Sequence, residues 1–248
     1  MEIATEISAG QSYDGNAQFW IRIIRERLDR FRTDLTDHAV LSALGDCSGR
    51  RILDAGCGEG YLSRILHSRG ARVVGIDASA ELIDAARRES ADIDYHHGSV
   101  DAIPLNSADF DDVVCNHLVN DLPDPAPAFG EFARILRPDG KLTVLMLHPC
   151  FYQTFIDGDE TTIADQYFGD RSFEQSFRVA GEISPTPVTV RMRSLEYYVS
   201  ALAAAGFVLE TVREPRPPQT AIDPWWQENF RRPIFLLLVA RRRAFDGE

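Results

Sequence analysis

The chain is short of positive charge. Its 26 Lys and Arg face 38 Asp and Glu, for a formal net charge of −12. A duplex-binding protein needs a basic stripe against the phosphates, so this balance argues against nucleic acid as a partner. The dense basic spots, 231–232 and 241–243, read as solvated ends of an element. Long apolar runs are also missing. The longest, IFLLLVA at 234–240, is far too short to span a bilayer and reads as a buried strand, so no membrane is expected. The first fifteen residues carry neither a basic start nor an apolar stretch, so no secretory leader is expected. Cysteine is scarce. Cys47, Cys57, Cys115 and Cys150 show no CxxC spacing and read as reduced thiols of a cytoplasmic protein without a zinc site.

What is present is ordinary in amount: 44% hydrophobic and 26% charged residues over 248 positions. That is enough for one large domain with a modest lid. Trp20, Ile24, Leu28 and Phe31 stand at helical spacing and predict a helix over 16–31, followed by another over 37–44. Then strands and helices alternate. Strands are predicted at 50–55, 71–77, 92–98, 109–118 and 141–148, with helices at 60–70, 79–90 and 126–136 between them. Ser79 is the expected cap of the second of these helices, and the RPDG at 137–140 is an expected turn. A helix at 194–206 and strands at 207–214 and 234–242 complete the series. Such alternation implies right-handed βαβ units and a parallel sheet covered on both faces. Residues 149–192 break the rhythm with many aromatics and read as an inserted lid or pocket wall.

The chemistry starts at 52–60, ILDAGCGEG. Gly56, Gly58 and Gly60 follow a GxGxG spacing behind a strand. The dinucleotide pattern needs glycine one position later, where Tyr61 stands. A P-loop needs a lysine, and no cation lies inside this loop while Asp54 and Glu59 flank it. The ligand is therefore not expected to be anionic. Asp77 ends the next strand, where a carboxylate accepts from ribose hydroxyls. Asp54 could hold an ammonium. Ribose and an amino-acid ammonium together describe S-adenosylmethionine.

On LDAGCGEG (53–60), VVGIDAS (73–79), HHGSVDAIPL (96–105), FDDVVCNHLVNDLPD (110–124) and EFARILRPDGKLTVLMLHP (131–149), the chain resembles the class I S-adenosylmethionine-dependent methyltransferases. The resemblance implies an α/β fold: a doubly wound, Rossmann-like, seven-stranded and mostly parallel sheet with an antiparallel last strand. It implies an N-terminal helical lid at 1–45, a cofactor core at 46–149, a substrate insertion at 150–192 and a return to the sheet at 193–248. Carried over, Asp54, Gly56, Cys57, Gly58 and Gly60 would surround the methionine part and ribose. Asp77 would bind the ribose diol. Ala78, Ser99 and Val100 would flank the adenine, and Asn116 would meet the ammonium through its backbone carbonyl. Ser99 departs from the family's usual Asp, and Asp101 is a substitute. Tyr13, in YDGNAQFW (13–20), would close over the cofactor with Trp20 behind it.

Methyl transfer needs a nucleophile held in line and, for a hydroxyl, a base. His148, His117 and Asp121 follow the fifth and fourth strands and are the base candidates, although positioning alone is an alternative. No metal is expected: His96 and His97 are adjacent on a strand and face opposite ways, and Asp121 with Asp124 forms no recognised metal motif. Tyr152, Tyr167 and Phe168 are expected pocket walls, with Trp225 and Trp226 closing another side. The expected activity is methylation at oxygen or nitrogen of a small, partly aromatic or apolar molecule, by a monomer or homodimer. A non-methylating relative of the same fold and a protein methyltransferase stand as alternatives.

Overall fold

The computed structural model describes residues 9–152, 167–217 and 223–244. Helix α1 (Ala9–Arg25) leads, followed by a π-helical turn (Arg32–Thr36) and α2 (Asp37–Leu44). Next come β1 (Arg51–Ala55), α3 (Tyr61–Ser68), β2 (Arg72–Asp77), α4 (Ala80–Glu89), β3 (Asp94–His97), β4 (Phe110–Asn116), α5 (Ala126–Ile135) and β5 (Leu136–Leu147). Four short strands occupy the insertion: β6 (Arg171–Gln175), β7 (Arg178–Val179), β8 (Glu182–Ile183) and β9 (Val188–Met192). The chain returns through α6 (Leu195–Ala204), β10 (Phe207–Arg213), α7 (Pro224–Asn229) and β11 (Phe235–Arg242).

The large sheet has seven strands in the order β10-β11-β5-β4-β1-β2-β3. The β1, β2, β3, β4 and β5 pairings are parallel, and β11 runs antiparallel to both of its neighbours. Alternate side chains point to opposite faces of a strand, and here both faces are buried. Ile52, Val114, Leu145 and Leu237 feed one apolar cluster with α2, α3 and α4. Their neighbours Leu53, Val113, Val144 and Leu238 feed another with α5 and α6. These near-continuous apolar strands are what a doubly covered parallel sheet requires.

Local signals explain most boundaries. Ser79 caps α4 by accepting from Leu82 N at 3.2 Å. Gly70 (φ +86°) takes the left-handed turn that ends the α3 unit. Three expectations change. The first helix lies earlier than predicted and stops before Arg27, which sits at φ 56°. The RPDG stretch lies inside β5 as an irregularity: Asp139 has φ 62°, and the pairing with β4 jumps between Phe110 and Asp112. The insertion forms small antiparallel pairs, β6 with β9 and β7 with β8, that its aromatic-rich sequence hid.

Candidate functional site

A cavity of about 770 Å³ opens at the carboxyl ends of β1, β2 and β4. This is where open α/β sheets take ligands, because the chain diverges there to opposite faces. Its floor is the glycine loop. Gly56 N and Cys57 N donate to Ile76 O at 2.8 and 3.0 Å, locking the loop against β2. Gly58 (φ +54°) donates from its N–H to Asp77 Oδ2 at 2.8 Å. A Cβ there would meet only Leu82, at 4.0 Å, so bare main chain faces open space. Gly60 is different. It also sits at positive φ (+81°), but a Cβ would land 2.4 Å from the Tyr95 hydroxyl, and Gly60 does not line the cavity. Its expected cofactor contact is corrected to a packing role under β3.

Asp77 accepts from Gly58 N and, through Oδ1, from Ser79 N at 2.9 Å. Burial raises its carboxyl, opposed by those two donors. Asp54 is buried and accepts from Ser63 Oγ at 2.6 Å; burial pushes it up to about 6. Burial also raises the Cys57 thiol, which keeps it protonated. Ala78, Ser99, Val100 and Asp101 line one end of the cavity together with His97. Asn116 is 9% exposed, and its Oδ1 is buried with no hydrogen-bond partner. A buried acceptor without a donor is costly, and a ligand donor would satisfy it.

At the other end, Tyr13 from α1 donates its hydroxyl to Asp121 Oδ2 at 2.8 Å, across 108 residues of sequence. Asp121 is 8% exposed. Burial and the nearby Asp77 charge push its carboxyl up to about 7, against the Tyr13 hydrogen bond and Arg191. His117 lines the same space in a left-handed conformation (φ 59°), with Nε2 3.3 Å from Thr36 Oγ1. Burial holds its imidazole well below the usual range, so it is neutral. Trp20, Phe31, Tyr152, Phe177 and Phe235 supply aromatic walls.

His148 is placed elsewhere. It does not line the cavity. Its Nδ1 lone pair accepts from Cys150 N at 3.1 Å, and Nε2 lies 3.2 Å from Glu214. Both ring nitrogens are engaged away from the cavity, so the base expectation for His148 is corrected. Of the expected walls, Tyr152 stands at the cavity. Phe168 is 84% exposed, and the Tyr167 hydroxyl accepts from Leu195 N instead. Trp226 is buried against Phe31 and Phe230, and Trp225 lies under the Arg30 guanidinium, so neither closes the cavity.

Two residues escaped the sequence reading. Arg32 brings a guanidinium to the cavity from the π-helical turn, with a buried Nε lacking a hydrogen-bond partner. Asn120 clamps the Asp121 loop. Its Oδ1 accepts from Leu147 N at 2.9 Å, and its Nδ2 donates to Arg191 O on β9 at 3.2 Å. Only the NHLVND stretch after β4 pointed toward Asn120, and that stretch drew attention to its neighbour. Among the described residues, no group of three or more His, Cys, Asp or Glu could hold a metal, and no helix is long and apolar enough to cross a membrane.

The fold and this cavity define a class of cofactor-binding protein, and comparisons with known proteins identify it. Residues 53–144 match the methyltransferase domain family. A putative S-adenosylmethionine-dependent methyltransferase from Listeria monocytogenes superposes with a TM-score of 0.70 at 25% identity, over 84% of this chain and 96% of that one. A second such enzyme, from Mesorhizobium loti, gives a TM-score of 0.65 at 26% identity, over 83% and 96%. Residues 53–144 thus carry a methyltransferase domain, the fold is that of the S-adenosylmethionine-dependent methyltransferases it superposes on, and the cofactor these findings support is S-adenosylmethionine. A ubiquinone biosynthesis O-methyltransferase from Aromatoleum aromaticum is 37% identical over 100 residues, 38% of this chain and 43% of the relative. The match spans less than half of that relative's length.

The residues present fit this cofactor. Gly58 offers a cradle that a side chain would fill, Asn116 Oδ1 awaits a donor, and Asp54 and Asp77 form no ion pair among the described residues.

Proposed function

We propose that this protein transfers the methyl group of S-adenosylmethionine to a hydroxyl oxygen of a small, uncharged, partly aromatic or apolar molecule. The observation that carries this reading is Asp121: a buried carboxyl in the cofactor cavity, held by Tyr13 and pushed up to about 7. A base in that range takes a proton near neutral pH and yields it again, which suits an acidic hydroxyl.

When bound, the cofactor supplies a methyl group on a cationic sulfur, and the bonding pair stays on sulfur when the methyl leaves. Asp77, Gly58 and the 98–101 segment hold the adenosyl part, with Val100 and Leu82 as apolar contacts. Asp54, Asn116 and Arg32 hold the amino-acid part, Arg32 toward the carboxylate. Tyr152, Phe177, Phe31 and Phe235 exclude water and orient the acceptor, an effect of proximity and alignment. Asp121 receives the hydroxyl proton as the oxygen gains the methyl group. Neutral His117 offers a hydrogen bond without placing a second positive charge beside the sulfonium. Acidic residues line much of the cavity, which disfavours phosphorylated acceptors. The hydroxyl assignment is supported by the O-methyltransferase relatives.

Incubation with methyl-labelled cofactor and a panel of catechols, phenols and amines tests the proposal. Label is expected on hydroxyl oxygens, with turnover rising through pH 7 as Asp121 ionises. Asp121→Asn is expected to lower kcat by about a hundredfold at saturating cofactor. Label appearing only on the amines would overturn the oxygen assignment.

A further inference from the structure

We propose that Asp54, Asp77 and Asp121 form one anionic wall that sorts the cationic cofactor from its uncharged thioether product, with Asp121 as the member whose charge decides the sorting. The inference rests on the cofactor site described above and concerns what the same carboxylates do to binding.

The three residues come from separate places, the end of β1, the end of β2 and the loop after β4, and line one cavity. They feel one another: the Asp77 charge opposes ionisation of both Asp54 and Asp121. Among the described residues the donors to their carboxyl oxygens are uncharged, the Ser63 and Tyr13 hydroxyls and the Gly58 and Ser79 amides, while Arg191 donates to the Asp121 main-chain oxygen at 3.2 Å and Arg32 acts on Asp54 only through its field. Glu59 in the same wall is built differently. It is paired with Arg25 at 2.9 Å and Arg64 at 2.6 Å, so its charge is already answered. Buried carboxylates left without a cation are unfavourable, and a cationic ligand relieves them. The unpartnered Asn116 Oδ1 independently marks this space as one that receives a donor.

S-adenosylmethionine and S-adenosylhomocysteine share the ribose, the adenine and the amino-acid ammonium. They differ by one methyl group and the charge on sulfur. Any charge-based preference between them therefore comes from groups that sense the sulfur. Asp77 and Asp54 are committed to parts that both compounds share; of the other carboxylates at the cavity, Asp29 lies 3.9 Å from Arg32, Asp124 accepts from Tyr197 and Ala126 N, and Asp101 lines the end beside Ser99 and Val100, which leaves Asp121. The groups facing Asp121 are Tyr13 from α1, Asp77 from β2, Cys115 from β4, Tyr152 beyond β5, and Arg191 from β9. Tyr13 and Arg191 favour its charge, while burial and Asp77 oppose it. Its ionised form favours the sulfonium, so cofactor affinity must rise with pH through the titration. The thioether gains nothing from that charge. In the product complex the wall holds a protonated Asp121 beside a neutral sulfur, and loss of that proton to solvent leaves an anion that meets no charge on the sulfur.

Titration calorimetry on the whole protein with both compounds between pH 5.5 and 8.5 tests this without an acceptor. The Asp54 titration near 6 acts on the ammonium that both compounds carry, so the readout is the ratio: S-adenosylmethionine affinity over thioether affinity is expected to rise about tenfold with a midpoint near 7. In Asp121→Asn the ratio of the two affinities is expected to be flat with pH. Tyr13→Phe removes a donor that favours the charged form, so its midpoint is expected to move to higher pH. Should Asp121→Asn fail to fold, an unmoved midpoint in Tyr13→Phe overturns the proposal by itself. A pH-independent ratio in the unaltered protein overturns it too, with the cofactor reading intact. Failure of both compounds to bind would instead sink the cofactor reading.

Discussion

Single residues carry two kinds of work here, and Gly58 and Gly60 separate them. Both hold left-handed backbone, but one faces a ligand space and the other faces the Tyr95 hydroxyl. Gly60→Ala adds a strained conformation and a clash, and is expected to cost about 1–3 kcal/mol of stability by denaturant titration. A change below ~0.5 kcal/mol would mean that Tyr95 does not pack there. Asp77 joins the two kinds of work, since it organises Gly58 and Ser79 while facing the cavity. Asp77→Asn keeps the shape but loses the charge. It is expected to weaken cofactor binding by about ten- to a hundredfold in calorimetry. The glycine spacing and Asp77 were legible because backbone strain and strand-end position leave marks in a sequence. Asn120 and Arg32 were not, because their roles depend on partners that come from β5, β9 and a π-helical turn.

Among the elements, α1 and the insertion close the cavity together. Asn16 Nδ2 donates to Thr186 O at 2.7 Å and its Oδ1 accepts from Thr186 N at 2.9 Å, joining the helix to the segment before β9. That pairing places Tyr13 three residues away over Asp121. Asn16→Ala removes both hydrogen bonds from a fully buried site and is expected to cost about 1–3 kcal/mol. Faster amide hydrogen exchange in both α1 and β9 is the expected readout, and exchange confined to one of them would argue that they close independently. Strand and helix positions from β1 to α5 followed from periodicity and caps. The β6–β9 pairs did not, because strands of two to five residues are too short for an alternation such as that of Val188, Val190 and Met192 to stand out from the aromatic-rich segment around them.

For the whole molecule, the unusual feature is several buried carboxyls that hold protons too tightly. Burial pushes Asp54 and Asp112 up to about 6 and Asp121 up to about 7, with Arg50 pulling Asp112 the other way. An unfolded Asp titrates near ~3.9. A raised folded value means that the folded state favours the proton. The resulting stability is complete below about pH 4 and is lost as pH rises through 6 to 7. The melting temperature of the ligand-free protein is therefore expected to fall by several degrees, about 5 °C, between pH 5 and pH 8. S-adenosylmethionine is expected to restore more of it at pH 8 than at pH 5, because its cation answers the ionised wall. An unchanged melting temperature across that range would contradict these buried charges.

The sequence by itself determined the alternation of strands and helices, the bare loop and the carboxylate at the end of β2, because these are local consequences of backbone freedom, periodicity and capping. Tertiary structure alone decided which acidic or basic group faces the cavity. It turned His148 toward Cys150 and Glu214, brought Tyr13 across 108 residues to Asp121, and buried Asp121 enough to raise its carboxyl. Side-chain direction and desolvation arise from packing between distant segments, and neither is written in the order of neighbouring residues.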